Sequence, residues 1–90
     1  MRARIYPLAL GKIIKHALTD LENEVAGLLI GKYLKKNDVL EIWDTITGDQ
    51  KSTPGFVYLN EETIAAAAEW VLRNRPGLYI VGWYHSHPGF

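Results

Sequence analysis

Two histidines separated by a single residue, His85 and His87, are the sharpest chemical feature of this 90-residue chain. In an extended backbone, residues i and i+2 project from the same face, about 6–7 Å apart along the strand. Two imidazoles so placed can converge on one metal ion at about 2.0–2.1 Å each. Ser86 then projects the opposite way. His-x-His is a weak signal alone, because two polar residues at a strand end produce it equally well. Its setting strengthens it: the pair closes the apolar run Leu78 to Tyr84, Pro88-Gly89 turns the chain directly afterwards, and the chain has only three histidines. A hydrolytic metal site commonly combines three protein ligands with a water and a carboxylate that takes the water's proton. Glu24, at the start of another apolar run, is a candidate for that base. Spacing alone does not join it to His85, and a solvated strand-start charge is the plainer reading. Asp44 and Asp49 are candidates for a third ligand, again with no spacing to select them. His16 falls near the end of the first helix and reads as structural, its protonated imidazole favoured by the helix dipole. Trp43, Trp70 and Trp83 read as core or partner-facing surface.

Other chemistries are excluded by absence of their patterns. The sequence contains no GxGxxG, P-loop, HExxH or GxSxG. A zinc nucleobase deaminase needs His-x-Glu with a Cys-x-x-Cys pair, and here the third position is His and there is no cysteine. Without cysteine there is neither a disulfide framework nor a thiolate site, which suits a cytoplasmic protein. Ten basic and ten acidic residues cancel, so no basic field draws in nucleic acid or an anionic membrane. The clusters Lys12/Lys15 and Lys32/Lys35/Lys36 read as solvated surface. The apolar run Val25 to Ile30 is far too short to span a bilayer, and the N-terminus lacks the apolar core of a signal peptide. With 48% hydrophobic and 22% charged residues, the chain is globular in composition and short enough for one domain at most, burying about 60–65% of its unfolded surface.

The elements that must position the histidines follow from periodicity. Ala3 to Tyr6 suits a short strand, and Pro7 suits the first turn of a helix. Leu10, Ile13, Ile14, Ala17 and Leu21 share one helical face, predicting an amphipathic helix over Leu8 to Thr19 with that face inward. Val25 to Leu34 is apolar on both faces and reads as a buried strand, with Gly27 and Gly31 marking close backbone approach or a bulge. Lys35 to Asp38 is a turn. Val39 to Thr47, with Leu40, Ile42 and Ile46 on one face, completes a hairpin. Gly48 to Phe56 is a polar loop, Val57 to Leu59 a short edge strand, and Asn60 an N-cap. Ile64, Ala67, Ala68 and Val71 form the inward stripe of a second helix, Arg73 and Arg75 suit its negative end, and Pro76-Gly77 stop it. Leu78 to Tyr84 reads as a buried strand. The class is α/β, one mixed β-sheet flanked by two helices.

The segment Trp83-Tyr84-His85-Ser86-His87-Pro88-Gly89-Phe90, preceded by Val81-Gly82, resembles the signature of JAMM/MPN+ zinc metalloproteases, closest to the proteasome-lid deubiquitinase and COP9-signalosome deneddylase branch. Asn23 to Gly31 (NEVAGLLIG) is similar to that family's other fixed segment, and the two occur in the family's order. The resemblance spans the whole chain but roughly the first two-thirds of the usual domain. It implies an MPN (cytidine-deaminase-like) fold incomplete at the C-terminus, residues 1–90 forming the N-terminal part of a single MPN/JAMM domain. It further implies that His85 and His87 bind Zn2+ and that Glu24 is the general base on zinc-bound water. The family's Ser and its third ligand, an Asp, would lie beyond Phe90. Ser86 matches a motif position with no chemical step assigned. The implied substrates are conjugates of ubiquitin or a small ubiquitin-like modifier, with Gly48 to Phe56 at the place of a tail-holding insertion.

Three functional readings follow. The first is part of a zinc isopeptidase, inactive as these ninety residues alone. The second is a non-catalytic MPN interaction module, in which apolar surface on the second helix and the last strand drives a homodimer or larger assembly. The weakest is a small zinc-binding protein ending naturally at Phe90.

Overall fold

The computed structural model describes residues 1–22, 24–47 and 61–87. Six elements follow in the order β1 (Arg2–Ile5), α1 (Pro7–Leu18), β2 (Ala26–Leu34), β3 (Val39–Thr47), α2 (Glu61–Asn74) and β4 (Tyr79–His85). The four strands form one mixed sheet ordered β1-β3-β2-β4. β2 is antiparallel to both neighbours, and β1 runs parallel to β3. This is the expected α/β arrangement, with element ends within about two residues of expectation. The expected loop Gly48 to Phe56, the strand Val57 to Leu59 and the Asn60 cap lie outside the described residues.

Local chemistry explains the joints. Pro7 opens α1 directly after Tyr6. In the β2–β3 turn Asp38 takes φ 52°, a left-handed conformation that Asp tolerates better than most residues. Beyond α2, Gly77 takes φ 90°, so Pro76-Gly77 ends the helix as expected. β2 is buried from Ala26 to Leu28 and at Ile30 and Gly31, as a central strand should be. A Cβ at Gly31 would collide with the Glu41 backbone carbonyl, and one at Gly27 would stand 2.5 Å from the Tyr84 ring. Both glycines therefore mark close approaches.

Two bulges set the faces. Gly31 pairs with Ile42 but Ile30 with Asp44, leaving Trp43 as the extra residue. Ile46, opposite Leu28, is thereby moved to the face opposite Ile42, correcting the expected Leu40/Ile42/Ile46 alignment. On the other edge Leu29 pairs with Gly82 and Ile30 with Ile80, leaving Val81 as the extra residue.

The helices pack differently from their apolar stripes. In α1, Ala9 is fully buried and Ile13, His16 and Ala17 are half-buried, whereas Leu10, Ile14 and Leu21 are exposed. Polar tethers on the inner side turn the helix this way: Lys12 reaches Asp44 and His16 reaches Tyr84. In α2, Ala67 and Val71 are buried, but Ile64 and Ala68 are exposed. β4 is not the buried strand expected from Leu78 to Tyr84. Among the described residues it pairs only with β2, and Tyr79 and Trp83 stand 66% and 61% exposed.

Asp44 is buried and accepts from Lys12 Nζ at 2.6 Å and Arg75 Nη2 at 2.9 Å, with the Thr45 N–H at 2.7 Å. It ties α1 and the exit of α2 to the sheet. Beside it, Glu41 accepts from Tyr6 Oη at 2.6 Å and Arg4 Nη1 at 3.1 Å, binding β1 to β3. Burial raises the Asp44 pKa, but hydrogen bonds from Lys12, Arg75 and Thr45 outweigh it, and the net shift is downward. Its contribution to stability is complete above the ordinary aspartate value near 4 and is lost as pH falls through the lower folded value. Asp44→Ala is expected to cost about 2–3 kcal/mol, below the usual penalty for breaking a buried pair, because Lys12 and Arg75 can regain water. Asp44→Asn should flatten the fall in stability between about pH 5 and pH 2. Urea melts across that range check both, and an unchanged acid slope in Asp44→Asn would refute the assignment.

Candidate metal centre

The candidate site lies where β2 begins and β4 ends. Ala26 pairs with His85 and Gly27 with Tyr84. Opposed residues share a face, so Ala26 and His85 lie on one side of the sheet, and Gly27 and Tyr84 on the other. Alternation from Ala26 puts Glu24 on the His85 face. The structure accordingly brings Glu24, His85 and His87 together, with one ligand atom of each within 4.8 Å of the others. Two imidazole nitrogens and a carboxylate oxygen suit a divalent transition metal. The residue that spacing could not join to the histidines is joined to them by strand register.

Ring contacts hold the imidazoles. Trp83 stacks on His85 with centroids 5.1 Å apart and planes at 23°. His85 and His87 meet edge-on, with centroids 4.4 Å apart. A long contact of 3.4 Å joins His85 Nδ1 to the Ser86 carbonyl.

Ser86 has a role that its motif position did not reveal. Its N–H donates to the Val25 carbonyl at 2.9 Å, and its Oγ accepts from the Val25 N–H at 3.0 Å. One residue thus latches both backbone groups of Val25, the neighbour of Glu24, to the segment between the two histidines. The available signal was alternation: a small hydroxyl residue pointing away from two ligands can bond the adjoining strand.

The remaining candidates fall elsewhere. Asp44 is held by Lys12 and Arg75 and is no part of the cluster. Asp49 lies outside the described residues. His16 does not act as a protonated cap to the helix dipole. Burial lowers its pKa, and its Nδ1 lies 2.7 Å from the Tyr84 hydroxyl. Trp43 packs against Tyr6, with centroids 4.6 Å apart, under Lys32 at 5.7 Å. Trp70 is 43% exposed.

Fold and cluster together give a mixed α/β domain with a candidate metal cluster at one end of its sheet, and sequence comparison gives its family. Residues 2–90 match the sequence model of the family described as JAB1/Mov34/MPN/PAD-1 ubiquitin protease, and the chain belongs to that family. It is 35% identical over 88 residues to 26S proteasome non-ATPase regulatory subunit 14 of Drosophila melanogaster, covering 96% of this chain and 28% of the relative. It is 33% identical over 90 residues to COP9 signalosome complex subunit 5 of Eremothecium gossypii, covering 99% of this chain and 21% of the relative. To ubiquitin carboxyl-terminal hydrolase RPN11 of Saccharomyces cerevisiae it is 32% identical over 87 residues, covering 96% and 28%. The chain thus spans between a fifth and a third of the length of these relatives. No helix among the described residues is long and apolar enough to cross a membrane.

Ser86→Ala should leave the Val25 N–H, in a residue only 3% exposed, without its acceptor. The expected cost is about 1–3 kcal/mol, with faster amide exchange at Val25. Urea denaturation and NMR-detected exchange check this. A Val25 amide as protected as in the parent chain would show that the latch is not needed.

Proposed function

We propose that this chain is part of a cytoplasmic zinc isopeptidase that removes ubiquitin or a ubiquitin-like modifier from lysine side chains. The observation that carries the reading is the convergence of Glu24, His85 and His87 to within 4.8 Å. Its support from comparison is membership of a ubiquitin protease family and likeness to a ubiquitin carboxyl-terminal hydrolase. His85 and His87 would hold Zn2+ through imidazole nitrogen. The ion, when bound, supplies Lewis acidity, which makes water nucleophilic near neutral pH. The Glu24 carboxylate accepts the proton that the attacking water loses. It then delivers a proton to the lysine nitrogen as the C–N bond breaks, so that the amine leaves neutral. No proton transfer is assigned to Ser86, whose Oγ accepts from the Val25 N–H.

Zinc titration against a chromophoric chelator tests the ligand assignment. One zinc per chain is expected, weakened about tenfold or more by His85→Ala or His87→Ala. Equal affinity in parent and variants would sink the assignment. Residues 1–90 assayed alone on an isopeptide-linked ubiquitin–lysine substrate should turn over far below a complete enzyme. The positions of the family's Ser and third ligand Asp fall beyond Phe90. Full-rate cleavage by the ninety residues would contradict this.

A second reading, as a non-catalytic module that self-associates, is favoured by apolar exposure. Leu10, Ile14 and Leu18 line the outer side of α1, and Tyr79 and Trp83 are exposed on β4. Patches of this kind promote association. Light scattering at tens of micromolar should then give a homodimer or larger species, and a monomer at all concentrations would remove this reading.

A further inference from the structure

The face of β4 opposite the histidines carries a contact that binding a metal does not itself require. Tyr84 precedes His85 by one residue, so its side chain leaves the strand on the other face, toward α1. There its hydroxyl lies 2.7 Å from Nδ1 of His16, and the two rings meet edge-on with centroids 5.9 Å apart. Thr45 of β3 hydrogen-bonds the same phenol. The register partner of Tyr84 is Gly27, and a Cβ there would stand 2.5 Å from the phenol ring. The ring lies close over the β2 backbone because glycine leaves the space. One side chain, at the last position before a ligand, therefore touches α1, β2 and β3.

The bonding is directional. Burial lowers the His16 pKa. The neutral imidazole accepts at Nδ1, so the phenol donates to it, while the Thr45 hydroxyl donates to the phenol oxygen.

We propose that His16 and Tyr84 are positioning residues of the metal centre, fixing the rotation of the end of β4 and with it the direction of the His85 imidazole. This rests on the reading of Glu24, His85 and His87 as a metal site. The need is geometric. β4 has one described neighbour and a bulge at Val81, and its last ladder pair is Ala26↔His85. A strand held on one side is free to twist, whereas a ligand must be held within about 0.5 Å of its productive position. Among the described residues, those around His85 on its own face are the Trp83 ring, the His87 ring, the Glu24 carboxylate within 4.8 Å and the Ser86 carbonyl at a long 3.4 Å. The strut from His16 to Tyr84 supplies the restraint from behind.

The test uses the chain with Tyr84→Phe, His16→Leu or His16→Asn, titrated with Co2+ and followed by its visible absorption. Tyr84→Phe keeps the ring over Gly27 and removes only the hydroxyl. Tyr84→Phe and His16→Leu should each weaken Co2+ binding about tenfold, the low end for groups supporting a ligand from behind, and shift the absorption bands. His16→Asn, whose side-chain oxygen can replace Nδ1 as acceptor, should restore both. Glu41→Gln, which weakens the tie of Arg4 and Tyr6 to β3, should keep the parent spectrum. Parent-like affinity and spectrum in Tyr84→Phe would overturn the proposal. A parent chain that takes up no Co2+ would instead defeat the metal-site reading. In that case exchange of the Ser86 amide in the metal-free chain decides the strut: acceleration in Tyr84→Phe sustains it, and unchanged exchange overturns it.

Discussion

The register between β2 and β4 is the constraint on which everything else in this chain depends. Ala26 opposite His85 puts the residues flanking the start of one strand beside those at the end of another, sixty positions later. A slip by one residue would turn His85 and His87 to the face of α1 and leave Glu24 alone. Backbone pairing alone specifies register weakly, since each neighbouring register offers similar hydrogen bonds. Side chains select it here. Gly27 accommodates only a large flat partner lying over it, and Tyr84 is that partner. Ser86 reads the same register from the next position, because both its N–H and its Oγ meet Val25.

The bulges set which way the strand ends beside the candidate site face. Past them the parity of each strand is reversed relative to an unbulged ladder. On β4 this puts Tyr84 over Gly27 on the α1 face and sends Trp83 and His85 to the other. On β3 it brings Thr45 and Thr47 to the Gly27 face, where Thr45 meets the Tyr84 phenol. A local irregularity in each neighbour of β2 thus re-aims the side chains nearest the candidate site, a common use of bulges.

Much of this was legible in the sequence. Six elements and their order followed from the periods 2 and 3.6 and from Pro and Gly punctuation. Gly27 and Gly31 announced close approach, and the alternation of His85 and His87 announced that the two imidazoles converge. The union of Glu24 with that pair was not readable from spacing, because it is a property of cross-strand register, although the resemblance of Asn23 to Gly31 to a family segment pointed to it. The facing of α1 was misread for a related reason. Its exposed apolar residues Leu8, Leu10, Ile14 and Leu18 outnumber the inward Ala9, Ile13 and Ala17, and pattern counting puts the larger set inside. Two specific polar contacts, from Lys12 and from His16, override that count. Both bulges escaped, since nothing in Trp43 or Val81 marks it as an extra residue. The exposure of β4 escaped too, because an apolar run does not say how many neighbours it has.

The outward apolar stripe of α1 is therefore a consequence of how the site is built. A buried carboxylate answered by two cations adds little net stability over a well-packed apolar core. What Asp44 adds is direction, since it accepts at once from Lys12 on α1 and from Arg75 after α2. It fixes the roll of α1 about its own axis, which puts His16 within reach of Tyr84. It also fixes where the chain leaves α2 and enters β4. The same roll that presents His16 inward must carry Leu10, Ile14 and Leu18 outward, because residues three and four apart on a helix cannot be rearranged independently. In this chain the geometry behind the histidines and the surface open to association are two sides of one helix orientation.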